Sequence, residues 1–504
     1  MRTAATASHA TPRAALPGAL VVAACLLTGV FIVLAEPPWD FPLLGWVAPV
    51  PWLLVLFRGR RGAVLVGSWL GGAVAVAGTM HWLDRFGVSV WLGLSALQGL
   101  GLLVAALLAR GLNRGAGWGA LLAPAVAWTA AEQLRSVGAY GVPWVLLGET
   151  QARLLPAFQA VRWIGVPGLS GLMVLGAGGV LALARGPRRR GAIVIAATAV
   201  VVLGAQWHSL QYARGARGFR VAVVQPSVEV DLPPSAVNAV YDPAVEARWL
   251  ATLRELSLRA RGAQLIVWPE SAFDRPLQTP EIATRVAALA READACLAVN
   301  TPRIGPEGDF NTTTIVTPDG GMTEIYDKVR LVPFGEYIPF GLRPLIAGRY
   351  TIRSDDAAAG TRWHALDACG TRVGAAVCFE SAFPEAARAL RRDGARVLVV
   401  QTNDAWLGFT AGPEQHARIA LARAVETGCW LLRSASGGVS LIANPRGRIE
   451  TRAALGERTT LTDTVSAAPG ATPYSAGGWL VPWLCLVGSV VLALFRGAHG
   501  EAKG

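Results

Sequence analysis

The sequence is poor in charged residues, and lysine is nearly absent. Asp, Glu, Lys and Arg make up 16% of the 504 residues, against about 25% in an average soluble domain. The 46 basic residues include only two lysines, Lys328 and Lys503, so the remaining 44 are arginine. Hydrophobic residues reach 53% of the chain. This balance excludes a protein that is soluble over its whole length and predicts several membrane spans.

The sequence also lacks the cysteine and histidine patterns that are typical of metal sites. Its six cysteines and six histidines show no CxxC pair and no zinc-ligand spacing. Cys25 and Cys485 lie within apolar runs, where a thiol behaves as a small hydrophobe. The other four, whose spacing indicates no disulfide framework, are Cys296, Cys369, Cys378 and Cys429.

Eight apolar segments approach the length of about 20 residues that a helix needs to cross a bilayer. They cover residues 15–35, 41–57, 63–83, 87–109, 115–131, 163–184, 191–207 and 477–495. The segments at 41–57 and 115–131 are short and contain Pro or Gly. The first segment follows Arg2 and Arg13, as a signal peptide would, but it has no clear small-residue cleavage site, which favours a retained anchor.

Arginine placement predicts the orientation of these segments. The loops at 58–61, 110–114 and 185–190 hold nine arginines, whereas the loops on the other side hold four. Positive charge beside apolar runs marks the cytoplasmic side, so the net charge of +12 indicates topology and not nucleic-acid binding. The predicted order is a cytoplasmic N-terminus (1–14), seven spans (15–208), an extracytoplasmic domain (215–466), one further span (477–495) and a cytoplasmic tail (496–504).

Residues 215–466 alternate strand-like and helical patterns. Apolar runs such as "VAVVQ" (221–225) and "GAAVC" (374–378) are typical of strands buried on both faces. Segments such as 243–261 and 413–427 have helical periodicity. The alternation predicts an α/β domain.

Three ionisable residues of complementary type follow the strand-like runs. Glu270 ends "LIVWPE" (265–270), Cys378 ends "GAAVC", and Lys328 follows "TTTIVTPDGGMTEIYD" (312–327). Because ligands gather at the carboxyl ends of strands, we expect the three side chains to meet. A thiol nucleophile, a carboxylate base and an ammonium that stabilises an oxyanion form an acyl-transfer set. A lysine ammonium is a compact charge that fits a small oxyanion differently from an arginine fork.

Each of these residues also has a structural explanation. Glu270 is suited to cap the next helix, Cys378 to be a buried structural thiol, and Lys328 to be a surface lysine. The spacing alone leaves these alternatives open.

The motifs around the three residues resemble those of a known superfamily. "VWPES" (267–271), "YDKVRLVPFGEYIPF" (326–340) and "VCFESAFPE" (377–385) resemble, in order and spacing, the three catalytic blocks of the nitrilase, or carbon-nitrogen hydrolase, superfamily. Further motifs are "AEQLRS" (131–136), "VPWVLLG" (142–148) and "NDAWLGFTAGPEQHARIALARAVETG" (403–428). With the predicted topology, nearly the whole chain resembles the membrane-embedded apolipoprotein N-acyltransferase family.

The resemblance implies both a fold and residue roles. The fold is a nitrilase-like four-layer α-β-β-α sandwich attached to a polytopic α-helical membrane domain of about eight spans. Cys378 is implied as the nucleophile, Glu270 as the general base and Lys328 as the oxyanion stabiliser. Glu336 and Glu380 are implied as supporting carboxylates, for which a purely structural role is the alternative. The family requires no metal or organic cofactor.

The resemblance also implies a ping-pong reaction. Cys378 takes a fatty acyl chain from a phospholipid, typically phosphatidylethanolamine, as a thioester. The acyl chain then passes to the α-amine of the S-diacylglyceryl cysteine at the N-terminus of a lipoprotein, which is the last step of bacterial lipoprotein maturation. The protein is expected in the bacterial inner membrane, as a multi-pass protein with its catalytic domain on the periplasmic side.

Aromatic residues near the motifs are candidates for holding acyl chains and keeping water from the thioester. They are Tyr241, Phe334, Tyr337, Phe379 and Trp406, with Phe340 and Phe409 in the same segments. Ordinary packing is the alternative for each of them. His416 lies in a matched helix, where its position favours packing or capping over catalysis.

Two stretches depart from the family pattern. Tyr241 in "NAVYDP" (238–243) stands where the family usually has tryptophan, and "GCWLLRSASGGVS" (428–440) differs from the motif that the family often has at this place. These departures bear on donor or acceptor preference and leave the three central residues unchanged.

Other functions remain as alternatives. A membrane-tethered amidase of the same superfamily would use the same three residues with water in place of the acceptor amine, although eight spans favour lipid substrates. A transporter is disfavoured by the lack of charged residues in the spans. A catalytically dead scaffold is disfavoured because all three catalytic positions are occupied.

Overall fold

The computed structural model describes residues 15–113, 117–213, 218–227, 243–339, 356–467 and 470–500. Up to residue 213 the described chain is helical, and from residue 219 it forms two β-sheets with flanking helices, followed by a last apolar helix. The predicted cytoplasmic N-terminus (1–14) and the end of the predicted tail (501–504) lie outside the described residues.

The first part of the chain is a bundle of apolar helices. They are α1 (Gly18–Ala35), α2 (Pro42–Val47), α3 (Pro49–Leu56), α4 (Arg61–Thr79), α5 (Val88–Leu112), α6 (Trp118–Ser136), α7 (Leu155–Phe158), α8 (Val161–Arg185) and α9 (Arg188–Ser209). Six helices in the described chain are long and apolar enough to cross a membrane: Gly18–Ala35, Arg61–Thr79, Val88–Leu112, Val161–Arg185, Arg188–Tyr212 and Tyr474–Leu492. They coincide with six of the eight predicted spans, as expected for a multi-pass membrane protein.

The other two predicted spans differ from the helices that form. Segment 41–57 becomes α2 and α3, because each begins at a proline that cannot donate to a preceding turn. The two helices together cover Pro42–Leu56, about 22 Å at 1.5 Å per residue, which is shorter than a hydrocarbon core of about 30 Å. α6 continues to Ser136 and so includes Glu132 and Arg135. Both charged residues lie beyond residue 131, where the predicted span ends.

The described residues of the second part of the chain form twelve strands and four α-helices. The strands are β1 (Phe219–Gln225), β2 (Leu265–Val267), β3 (Cys296–Gly305), β4 (Gly308–Val316), β5 (Met322–Asp327), β6 (Leu366–Ala368), β7 (Thr371–Val377), β8 (Val397–Thr402), β9 (Trp430–Ala435), β10 (Leu441–Ala443), β11 (Ile449–Arg452) and β12 (Thr459–Val465). The helices are α10 (Pro243–Leu258), α11 (Pro280–Ala293), α12 (Pro384–Arg392) and α13 (Gly412–Thr427), and α14 (Leu480–Gly500) follows the domain.

The strands form two six-stranded sheets that stack between helix layers. The sheet orders are β12-β1-β2-β3-β4-β5 and β11-β10-β9-β8-β7-β6. Val221 and Val223 of β1 pack against residues of the second sheet such as Val373, whereas Ala222 and Val224 pack with α10 and α11. This alternation arises because successive side chains of a strand point to opposite faces. Because α12 and α13 cover the second sheet, the domain is the four-layer α-β-β-α sandwich that the resemblance implies.

Helix α13 also joins the sandwich to the membrane helices. The side-chain oxygen of Gln415 accepts from the indoles of Trp82 and Trp144 at 3.0 and 3.1 Å. The amide nitrogen of Gln415 donates to the carbonyls of Pro37 and Thr79 at 3.0 and 2.8 Å. Every polar atom of this buried amide group therefore has partners in the membrane part. The sandwich is held against the ends of α1 and α4.

A disulfide links the two sheets. Cys296 opens β3 of the first sheet and Cys369 follows β6 of the second, and their Cα atoms are 6.0 Å apart. The bond spans 73 residues of sequence, which is why no spacing pattern indicated it. Among the described residues the free cysteines are Cys25, Cys378, Cys429 and Cys485.

Candidate active site

The ends of three strands bring Glu270, Lys328 and Cys378 into one buried region. Glu270 follows β2 and Lys328 follows β5 in the first sheet, and Cys378 follows β7 in the second. Their exposed fractions are 6%, 1% and 4%. The charges of Glu270 and Lys328 both act on the Cys378 thiol. The structure thus places together the three residues that the sequence placed at strand ends.

Lys328 lies between two carboxylates. Its Nζ atom is 2.9 Å from Glu336 Oε1 and 3.3 Å from Glu270 Oε1. Burial lowers the pKa of Lys328, but the charges of Glu270 and Glu336 outweigh burial and raise the pKa above its usual value. The ammonium therefore stays charged and is suited to bind an oxyanion.

Two asparagines orient the carboxylate of Glu270. The side-chain amide of Asn311, in β4, donates to Glu270 Oε1 at 2.8 Å. The backbone N–H of Asn403, after β8, donates to Glu270 Oε2 at 2.9 Å. Neither residue was a candidate from the sequence, because their separations from Glu270 are 41 and 133 residues. The two bonds leave the Glu270 carboxylate in a defined position beside Lys328.

Cys378 occupies a strained turn. It begins a short 3₁₀ turn, Cys378–Ala382, and has a φ of +53°, in the left-handed region that costs a residue with a side chain roughly 1–2 kcal/mol. Burial raises the pKa of the Cys378 thiol well above its usual value; Glu270 raises it further and Lys328 lowers it. The thiol is therefore protonated at rest, so a nucleophilic role requires a base that removes its proton.

Glu380 binds the backbone on both sides of the site. It accepts five hydrogen bonds of 2.8 to 3.1 Å, from Tyr326 Oη, Val329 N, Arg330 N, Trp363 Nε1 and Val377 N. Val377 precedes Cys378, whereas Val329 and Arg330 follow Lys328. With 0% of its surface exposed, Glu380 joins the segment of Lys328 to the turn of Cys378.

Replacing Glu380 by glutamine should loosen this connection. In Glu380→Gln an NH₂ group replaces one of the carboxylate oxygens that now accept hydrogen bonds. The surrounding N–H and O–H donors would then face another donor, and each buried donor left unsatisfied costs about 1–3 kcal/mol. We expect the free energy of unfolding to fall by about 2 kcal/mol and acylation of Cys378 to slow by about 10- to 100-fold, because a displacement of 1 Å has effects of that order. Chemical denaturation and the rate of acyl-enzyme formation measure the two effects.

Glu292→Gln is the matched control for that variant. Glu292 forms an exposed ion pair with Arg254, and such pairs contribute little to stability. The control should behave as the wild type in both measurements. A Glu380→Gln protein that acylates Cys378 at the wild-type rate would contradict the connecting role of Glu380.

The aromatic candidates have different surroundings. The side chain of Phe334 is 43% exposed. Tyr337 forms an isolated β-bridge with Pro333 of the same loop through the backbone. Phe379 packs edge-on against Phe383, with ring centroids 4.9 Å apart. Trp406 packs edge-on against Phe86, with ring centroids 5.8 Å apart. Phe86 ends the turn before α5. Tyr241 and Phe340 lie outside the described residues.

Trp406 packs against the buried cluster that includes Cys378 and contacts Phe86, which lies just before the membrane helix α5. Phe409, in the same loop as Trp406, is 61% exposed. Within the described residues no cluster of three His, Cys, Asp or Glu side chains is arranged to hold a metal ion.

The sandwich and its buried residues define the class of this domain. Residues 220–473 match the family model described as "Carbon-nitrogen hydrolase", and the match contains Glu270, Lys328 and Cys378. An amidase from Nesterenkonia sp. is 22% identical, with a TM-score of 0.38, and covers 52% of this chain and 94% of its own. The protein is thus a membrane protein with a carbon-nitrogen hydrolase domain.

The helical part makes the assignment more specific. Residues 28–179 match the model described as "Apolipoprotein N-acyltransferase N-terminal domain". An apolipoprotein N-acyltransferase of Geobacter metallireducens is 31% identical over 496 residues, which are 93% of this chain and 94% of the relative. One of Bradyrhizobium diazoefficiens is also 31% identical, over 94% of each chain. The chain belongs to the apolipoprotein N-acyltransferase family.

Proposed function

We propose that this protein transfers a fatty acyl chain from a membrane phospholipid to the α-amine of a lipoprotein's N-terminal S-diacylglyceryl cysteine, through a thioester on Cys378. Membership of the family makes the protein an acyltransferase with a lipoprotein acceptor. The observation that carries the proposed chemistry is the buried pair of Lys328 and Glu270 beside the Cys378 thiol. Phosphatidylethanolamine is the proposed donor.

In the first half of the reaction Glu270 takes the proton of the Cys378 thiol. The thiolate attacks the ester carbonyl of the donor, and the Lys328 ammonium stabilises the oxyanion of the tetrahedral intermediate. When the intermediate collapses, the ester C–O bond breaks and Glu270 returns the proton to the leaving oxygen. The products of this half are a lysophospholipid and the thioester.

In the second half the neutral α-amine of the acceptor attacks the thioester. Glu270 accepts a proton from the amine, and Lys328 again stabilises the oxyanion. The C–S bond breaks, the new amide leaves, and the proton on Glu270 returns to the Cys378 sulfur. The enzyme is restored without a cofactor, because each proton that Glu270 takes is given back within the same half.

The location of the site suits lipid substrates. α13 holds the sandwich against the ends of α1 and α4, so both substrates can reach the site by lateral diffusion in the bilayer. The arginine-rich loops favour the inner membrane with the sandwich on the periplasmic side. The Cys296–Cys369 disulfide supports that side, because disulfides persist in oxidising compartments.

A two-stage assay tests the proposed function. Purified protein is mixed with phosphatidylethanolamine that carries a labelled acyl chain, and the label is followed to Cys378 by peptide mass spectrometry. A diacylglyceryl-cysteine peptide is then added, with an N-acetylated copy of the peptide as the control. We expect the free amine to take the label as an amide and the acetylated copy to leave the thioester intact. Release of free fatty acid in place of the amide would instead support a membrane-tethered amidase.

A further inference from the structure

The turn that carries Cys378 rests on a buried polar cluster. The cluster consists of Ser381 in the same turn, Asp404 after β8, His416 in α13 and Arg433 in β9. Each of the four is between 0% and 3% exposed. Burying charged and polar groups is costly unless they are paired, and the proposed reaction uses none of these residues. Their contacts therefore indicate another task near the nucleophile.

Two members of the cluster reach the backbone carbonyl of Cys378. His416 Nε2 lies 3.2 Å from this oxygen and 3.0 Å from Ser381 Oγ. The Ser381 hydroxyl donates to the same oxygen at 2.8 Å. Because a carbonyl oxygen only accepts, Nε2 carries a proton in this arrangement. The Ser381 hydroxyl then accepts from Nε2 while it donates to the carbonyl.

Asp404 sets the orientation of the His416 ring. Its Oδ1 atom lies 2.9 Å from His416 Nδ1 and accepts from the Thr402 hydroxyl at 2.9 Å. Its Oδ2 atom accepts from the Arg433 guanidinium at 2.6 Å. Burial raises the pKa of Asp404, but the charges of Arg433 and His416 outweigh burial and lower the pKa to about 2.

Asp404 is shared by the His416 ring and the Arg433 guanidinium. Arg433 Nη2 lies 3.1 Å from His416 Nδ1, so one carboxylate holds the guanidinium and the ring side by side. The ring is therefore fixed at one nitrogen by Asp404 and at the other by the turn of Cys378.

Ser381, His416 and Asp404 have the contacts of a Ser-His-Asp catalytic triad, but their chemistry differs. A triad serine gives its proton to a neutral imidazole. Here the Ser381 hydroxyl is directed to the Cys378 carbonyl, and the ring presents a proton to it. The cluster therefore has no free base for a serine nucleophile.

We propose that His416 is a positioning residue for Cys378, which holds the left-handed turn of the nucleophile through its carbonyl, with Asp404 and Ser381 as its partners. The proposal rests on the proposed role of Cys378 as nucleophile. The turn is unfavourable by itself for a residue with a side chain, and two buried side chains, His416 and Ser381, contact its carbonyl. Two donors on one oxygen keep the thiol beside Glu270 and Lys328.

The test measures how fast iodoacetamide alkylates Cys378, with the modified peptide identified by mass spectrometry. In His416→Phe the ring loses both nitrogens, so the turn relaxes and we expect alkylation to slow by at least about 10-fold. His416→Gln keeps an N–H group that can reach the carbonyl, and we expect it to recover to within about threefold of the wild type. Acyl-enzyme formation should follow the same order, with the apparent KM for phospholipid unchanged.

Ile419→Ala is the control for general damage to α13. Ile419 is 2% exposed in the same helix, so its replacement by alanine disturbs the packing of α13 without touching the turn of Cys378. We expect Ile419→Ala to lower the melting temperature and to leave the alkylation rate of the folded protein unchanged. Equal slowing in Ile419→Ala and His416→Phe, or a His416→Phe protein with the wild-type rate, would overturn the proposal.

A double-mutant cycle tests whether Ser381 and His416 act together. We expect Ser381→Ala to slow alkylation by about threefold, and Ser381→Ala with His416→Phe to be no slower than His416→Phe alone, because both donors serve one oxygen. Additive effects would overturn the shared role. Since alkylation needs neither phospholipid nor acceptor, the cycle separates a failure of the positioning role from a failure of the proposed acyl transfer.

Discussion

Replacing Cys378 by serine should abolish the acyl-enzyme and lower the rate of transfer by at least about 10⁴-fold, as the loss of a catalytic nucleophile does. The expected reason is chemical, because a hydroxyl with Glu270 as its base is a far weaker nucleophile than a thiolate. The exchange of sulfur for oxygen changes the volume little, so the turn should keep its shape. Intact mass after incubation with labelled phospholipid measures the adduct, and release of labelled peptide measures the transfer.

Cys429→Ser is the matched control for Cys378→Ser. Cys429 is also a free thiol with 0% exposure, but it lies between α13 and β9, away from the strand ends of the site. The control protein should form the adduct and transfer it at a rate near that of the wild type. An adduct that persists in Cys378→Ser would place the acyl group on another residue and would refute the thioester on Cys378.

Replacing Lys328 by arginine should slow acylation of Cys378 by about 10²- to 10³-fold, the range seen when one oxyanion donor is removed. The positive charge is retained, so the expected loss of acylation rate comes from the different shape of the guanidinium group. Lys328 is 1% exposed and its ammonium lies within 3.3 Å of both Glu270 and Glu336. A planar guanidinium is larger and presents its donors as a fork, and forcing it into this space should also cost about 1–3 kcal/mol of stability.

The measurement for Lys328→Arg is the single-turnover rate of acyl-enzyme formation, read beside the melting temperature. Arg254→Lys, at an exposed ion pair, is the control for an exchange of the two cations. That variant should match the wild type in both quantities. If Lys328→Arg also formed the acyl-enzyme at nearly the wild-type rate, the rarity of lysine in this chain would have no catalytic explanation.

Much of the architecture was predictable because it depends on local patterns. Long apolar segments predict membrane helices, since a helix needs enough apolar length to cross the bilayer. Runs such as 221–225 and 374–378 predict buried strands because both faces of each strand are covered. The positions of Glu270, Lys328 and Cys378 follow from the ends of such runs, so the sequence was sufficient to propose that the three residues meet.

The partners of these residues were not predictable from local patterns. Asn403 binds Glu270 across 133 residues of sequence, and the five donors of Glu380 come from three separate segments. Gln415 reaches the membrane part across more than 330 residues. A hydrogen bond depends on the distance and angle of two groups, and no periodicity in the chain records either quantity for residues so far apart.

By itself, the sequence determined that apolar helices precede an α/β domain and that a carboxylate, an ammonium and a thiol follow its strands, because length, hydrophobic period and strand ends are local properties. Only the tertiary structure decided that segment 41–57 divides into two helices, that Cys296 pairs with Cys369, and that His416 contacts the carbonyl of Cys378. These features depend on how distant segments pack, and packing brings side chains together irrespective of their separation along the chain.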